Sequence, residues 1–156
     1  SRQHKEEAYD ILKKQWEKGE VIIEGIAFQN ILAGVITLWE FDSFVFAENF
    51  AIKKEYRNKG LGAELLQEVI TEFCNKRIIL EVEPAENVTQ KKRIGFYERN
   101  GFTLSVVGYI QPPLRKGCED VSLVVMHTGE EMKKEEFECI KENVFKKVYR
   151  CTNIRG

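Results

Sequence analysis

FAIKKEYRNKGLGAELLQEVITEFC, Phe50 to Cys74, is the stretch whose reading decides the fold. An apolar strand end (Phe50, Ala51, Ile52) runs into a basic turn (Arg57, Asn58, Lys59, Gly60, Leu61, Gly62) and then into an amphipathic helix. The first turn of a helix leaves backbone N–H groups without intrahelical partners, and the aligned peptide dipoles put partial positive charge at the same end. Anions collect there. Gly60 and Gly62 carry no Cβ, so a pyrophosphate can approach the amides closely, and Lys53, Lys54, Arg57 and Lys59 add charge. Leu61, Leu65, Leu66, Val69, Ile70 and Phe73 recur at three- and four-residue spacing, which predicts one buried helix face behind an open N-terminus. Two better-known phosphate motifs fail: Leu65 stands where the dinucleotide fingerprint needs its third glycine, and no Gly-Lys-Ser/Thr of a Walker loop occurs. What remains is R-x-x-G-x-G between a strand and a helix.

A second motif, RIGFYERNGF, spans Arg93 to Phe102, and IILEVE (Ile78 to Glu83) reads as a strand between the two. In this order and at this separation the motifs resemble those of the GNAT family of N-acetyltransferases, in which a short helix bearing an aromatic pair and a tyrosine ends in Asn-Gly-Phe. Phe96, Tyr97, Asn100, Gly101 and Phe102 match residue by residue, and the resemblance covers roughly residues 21–128. It implies an α/β fold with a central, mostly antiparallel mixed sheet, splayed in the middle and flanked by helices, here with an extra C-terminal helix over 129–149. It also implies acetyl-CoA, with its pyrophosphate on the turn Arg57 to Gly62 and its thioester beside the backbone of Phe50 to Ile52, where the N–H groups would meet the oxyanion. Gln90 and Arg93 stand where family members commonly carry Asn and Ala, the Asn reaching the pantetheine. Gln90 is a substitute for it, and Arg93 a candidate contact to cofactor phosphate.

Length and composition set limits. With 156 residues, 43% hydrophobic and 31% charged, the chain suits one domain over 1–156 with a sizeable core. A net charge of -1 argues against a general nucleic-acid binder, whose affinity comes from neutralising phosphates. No apolar run approaches the ~20 residues of a membrane span, and the charged opening from Arg2 to Lys18 is unlike a signal peptide, so a soluble, cytoplasmic protein is expected. Cys74, Cys118, Cys139 and Cys151 are widely spaced, without the pairing of a metal site, and read as reduced thiols. Cys74 is expected on the buried side of the cradle helix, which argues against a covalent route through it. His4 and His127 read as ordinary surface or strand-end residues.

Taken in order, His4 to Gly19 reads as a helix with Ala8, Ile11, Leu12, Gln15 and Trp16 on one side and Gly19 as its stop, leaving the family's opening strand missing or displaced. Val21 to Asn30, Leu32 to Phe41 and Ser43 to Ile52 read as a three-strand meander. In the third strand Phe44, Phe46, Glu48, Phe50 and Ile52 alternate onto one face, which sets an acid among aromatics. A loop from Ala85 to Thr89 precedes the tyrosine helix; Phe102 to Ile110 and Cys118 to His127 are strands around the loop Gln111 to Gly117. Thr128 and Glu131 form a capping-box pattern for a helix whose apolar side carries Phe137, Ile140, Val144, Phe145 and Val148, packed on the sheet or on a second copy in a homodimer.

Transfer of an acetyl group from a thioester to an amine needs a base for the amine proton, donors for the oxyanion and a proton for the thiolate. A lysine-like amine has a reference pKa of about 10.4, so a base is required, and Glu81 and Glu48 are the contenders. The phenol of Tyr97 is the candidate acid. Gln111, Pro112, Pro113, Tyr109 and Trp39 are candidates to line a pocket for a small-molecule or peptide amine. The alternatives are a non-catalytic acyl-CoA-binding module, and an interaction domain that dimerises through its C-terminal helix.

Overall fold

The computed structural model describes residues 9–15, 21–111 and 121–149. They fall into two compact units, the first ending at Ile78 and the second beginning at Ile79.

In the first unit β1 (Tyr9–Gln15), β2 (Val21–Phe28), β3 (Ile31–Glu40) and β4 (Phe44–Ile52) form an antiparallel meander. β1 lies where the apolar spacing predicts a helix. The reason is pairing: a helix over His4 to Gly19 is marginal without packing partners, whereas the edge of β2 offers a full ladder, Tyr9 opposite Phe28 through Gln15 opposite Ile22. A strand therefore stands ahead of β2 where a helix is expected; residues 16–20, where the predicted helix ends, lie outside the described residues. β2 and β3 turn at Gln29 and Asn30, both at positive φ, a hairpin of the primed type. α1 (Leu61–Glu72) packs on β2 to β4 through Leu61, Leu65, Leu66 and Val69. Each such leucine adds about 2 kcal/mol of burial.

The two-residue period of β4 breaks once. Glu48 pairs with Thr37 and Ala51 with Val35, so Asn49 and Phe50 together face the single residue Ile36, and Asn49 takes φ 53°. This is a β-bulge. The extra residue puts Ala51, not Phe50 or Ile52, in phase with Glu48, so the five alternating residues do not share one face.

In the second unit β5 (Arg77–Val82, from Ile79 on), β7 (Val121–His127) and β6 (Thr103–Gln111) lie side by side in that order, antiparallel. α2 (Val88–Arg99) packs on β6. It takes in Val88 to Thr89 of the expected loop, because the Asn87 side chain accepts from the Gln90 N–H at 2.8 Å and caps it. α3 (Lys134–Asn143) starts later than the Thr128 and Glu131 pattern predicts, with Lys133 at its N-cap and no side-chain cap bond. Gly129, at φ 79°, turns the chain away from a helix first. Phe137 and Ile140 of α3 are only 2% and 5% exposed within their own chain, so they are core residues of it. The loop expected at Gln111 to Gly117 and the start of the Cys118 strand lie largely outside the described residues.

Candidate functional site

The cradle belongs to the first unit. Beyond Ile52 a 3-10 turn over Lys54–Tyr56 closes with the Tyr56 N–H on the Lys53 carbonyl at 2.9 Å, and the Arg57 Nε–H folds back onto the Ile52 carbonyl at 3.1 Å. Asn58 and Gly60 both stand at positive φ, 64° and 77°. Gly60 is the N-cap of α1 and supplies no side-chain acceptor to it. The amides of Leu61 and Gly62 therefore begin a helix whose end carries no capping side chain, the arrangement that suits an incoming phosphate. Arg57 and Lys59 are exposed at its rim, and the Lys59 ammonium rests over the Phe28 ring at 5.4 Å from its centre. Phe28 also packs on Tyr56 at 5.7 Å, so the tip of β2 braces the turn.

The strand feeding this cradle is pressed against β3. Gly34 pairs with Ile52, and a Cβ on it would lie 2.3 Å from Ile52 Cδ1 and 2.9 Å from the Ala51 carbonyl oxygen. Lys53 N–H donates to the Ala33 carbonyl at 2.7 Å. Gly34 thus sets where the backbone of Ala51 and Ile52 lies, a role without a motif to announce it.

Glu48 sits just before the bulge. Trp39, diagonal to it across the β3–β4 ladder, donates its Nε1–H to Glu48 Oε1 at 2.7 Å. Burial raises the Glu48 pKa, and the indole hydrogen bond opposes that rise. Trp39, expected to line an acceptor pocket, is the carboxylate's hydrogen-bond donor. A second buried acid of this unit, Glu24, went without a role in the sequence reading; it is fully buried on β2 opposite Ile36. A lone Glu inside VIIEGIAF was its only signal.

The tyrosine helix belongs to the second unit. Asn-Gly-Phe is a Schellman stop: Phe102 N–H donates to the Tyr97 carbonyl at 3.0 Å, Gly101 N–H to Glu98 at 3.2 Å, and Gly101 stands at φ 96°. The hydrophobic contact that accompanies such a stop is Phe102 edge-to-face on Tyr97 at 5.8 Å, and Phe96 is also edge-to-face with Tyr97 at 5.4 Å. The motif therefore clamps the Tyr97 ring, which is 9% exposed. Burial raises its pKa, and Arg93, one turn earlier, pulls it back down. Arg93 itself is exposed. Gln90 is engaged within its own loop, its side chain donating to Glu83 at 2.7 Å and accepting from the Glu86 N–H at 2.8 Å.

Glu81, half-buried on β5, accepts from the Tyr149 hydroxyl. Tyr149 went unread because nothing in the sequence links it to a strand 68 residues earlier. Tyr109 packs on α3, 6.0 Å from Phe137 and 5.5 Å from Phe145. His127 is buried at the end of β7, its Nδ1 3.1 Å from the Thr128 carbonyl oxygen, and so is a strand-end residue but not a surface one. Cys74 is exposed, contrary to expectation, since α1 ends at Glu72 and the chain has already turned.

Comparison with known proteins agrees with these two motifs. Residues 17–104 match the model of the acetyltransferase (GNAT) domain. The Bacillus subtilis (strain 168) protein YjbC, itself named only as a candidate acetyltransferase, is 37% identical over 70 residues, which are 44% of this chain and 35% of YjbC. The chain thus matches about a third of the length of that curated relative. A solved structure from Bacteroides thetaiotaomicron, a candidate acetyltransferase from the GNAT family, is 33% identical with a TM-score of 0.79, over 87% of this chain and 77% of the other. More distant structures share the fold. A GNAT family acetyltransferase from Elizabethkingia anophelis, solved with acetyl-CoA bound, has 14% identity and a TM-score of 0.61 over 79% of this chain and 99% of its own. The ribosomal-protein-S18-alanine N-acetyltransferase of Escherichia coli has 22% identity and a TM-score of 0.56 over 78% and 75%. Among the described residues no helix is long and apolar enough to cross a membrane.

Proposed function

The chain belongs to the GNAT family of acetyltransferases, and from that premise we propose that it transfers the acetyl group of acetyl-CoA to a primary amine by direct attack. The observation that carries the reading is the N-terminus of α1, capped by a left-handed glycine that offers it no side-chain acceptor, directly after the bulged strand β4. Acetyl-CoA brings an activated thioester and a thiolate leaving group. The chain's residues do the rest. The amides of Leu61 and Gly62, with Arg57 and Lys59, hold the pyrophosphate; the backbone of Phe50 to Ile52 meets the carbonyl oxygen as it gains charge. Glu48 takes the amine proton, since burial lifts its pKa toward the working range and Trp39 fixes its orientation. Tyr97 gives its proton to the thiolate in direct contact with the sulfur, a transfer that its raised pKa makes uphill and that contact must supply. A second reading gives the base role to Glu81, whose carboxylate the Tyr149 hydroxyl orients.

Calorimetric titration of acetyl-CoA into wild type and Gly62→Asp tests the cradle. An aspartate in the first helical turn favours the helix but repels a diphosphate. Binding by wild type, lost in a variant that melts no lower, is the expected result. Failure of wild type to bind ends the proposal, and binding without turnover of any amine leaves a non-catalytic acyl-CoA module.

A further inference from the structure

After α3 the helix widens into a π turn over Val144–Val148, closed by the Tyr149 N–H on the Val144 carbonyl at 3.1 Å. π turns are rare and gather at functional sites. This one presents Tyr149, whose ring lies edge-on to Phe145 at 5.9 Å, while Phe145 is 2% exposed and packs edge-on against Tyr109 on β6. The phenol thus reaches Glu81 from a fixed base of packed rings, not from a swinging chain. A hydroxyl donated to a carboxylate favours its ionised form and removes its rotamer freedom.

We propose that Tyr149 is a positioning residue for the transfer reaction, its hydroxyl holding the Glu81 carboxylate in the one orientation in which it meets the acceptor amine, as base or as counter-ion. The inference rests on the acetyl-transfer reading. It makes α3 and its π turn part of the machinery, and a carboxylate held beside the acceptor suits a cationic amine better than an anionic one.

Carbon NMR of protein labelled at the glutamate carboxyls, with the Glu81 signal assigned by Glu81→Gln, reads the pair without any substrate. In Tyr149→Phe, which keeps the ring on Phe145, the midpoint of the Glu81 titration moves to higher pH. With spermidine and a lysyl peptide as acceptor probes, Tyr149→Phe lowers kcat about tenfold, the worth of a hydrogen bond to a charged group, and leaves the KM for acetyl-CoA unchanged. The loss vanishes when the substitution is made in Glu81→Gln, since a residue acting through another cannot act twice. An unmoved Glu81 midpoint, or an equal loss in both backgrounds, overturns the proposal. Calorimetry separates the two failures: a protein that binds acetyl-CoA but has an unmoved Glu81 loses this inference alone, whereas one that binds none loses the transfer reading with it.

Discussion

A carboxylate that gives up solvent holds its proton more tightly, and Glu48 carries the consequence for both stability and rate. Burial lifts its folded pKa above the ordinary 4.5, so the folded protein takes a proton more readily than the unfolded chain. The linked stability is complete below pH 4.5 and is lost as the pH rises through the higher folded value. Glu48→Gln keeps an oxygen for the Trp39 N–H and removes the titration. Its melting temperature relative to wild type is therefore expected to climb as the pH is raised from 4.5, while kcat falls by ~100-fold or more. Melting curves that run parallel over that range would remove Glu48 from consideration as a base. At this scale the sequence was legible wherever one residue type answers a local need. Gly60, Gly101 and Tyr97 follow from their motifs, whereas Trp39 on Glu48 and Tyr149 on Glu81 are long-range partnerships that only the register and the packing create.

Among the elements, β4 is the one on which the cradle depends, and its end is set by its neighbour. Gly34→Ala would drive a methyl into Ile52 and the Ala51 carbonyl. Overpacking of this kind costs about 1–3 kcal/mol. The expected outcome is a lower melting temperature together with weaker acetyl-CoA affinity in calorimetry, because the strand that moves is the one leading into Arg57 to Gly62. A variant that loses stability but keeps its affinity would free the cradle from β3. The meander, the cradle helix and the tyrosine helix were all legible, their periods and stop signals agreeing with their environment. Two features were not. β1 has the spacing of a short helix and becomes a strand because β2 needs a partner, and the bulge at Asn49 is a one-residue mismatch that no single strand displays by itself.

For the molecule as a whole, the fate of the C-terminal helix separates an enzyme from an assembly module. Phe137 is 2% exposed and touches Tyr109 of its own chain. Phe137→Ala is expected to cost about 3–5 kcal/mol, read as a lower urea midpoint, and to leave the oligomeric state of the folded protein unchanged. A clean change of oligomer without loss of stability would support the dimerisation reading instead. A net charge of -1 hides exposed cations at Arg57 and Lys59, so composition alone understates what this surface attracts. The chain has two tryptophans, and one of them, Trp39, gives its indole N–H to Glu48. An indole bonded to a titrating carboxyl feels the charge on that carboxyl, so the ultraviolet emission of Trp39 is expected to shift as Glu48 takes up its proton, an optical indicator that needs no label.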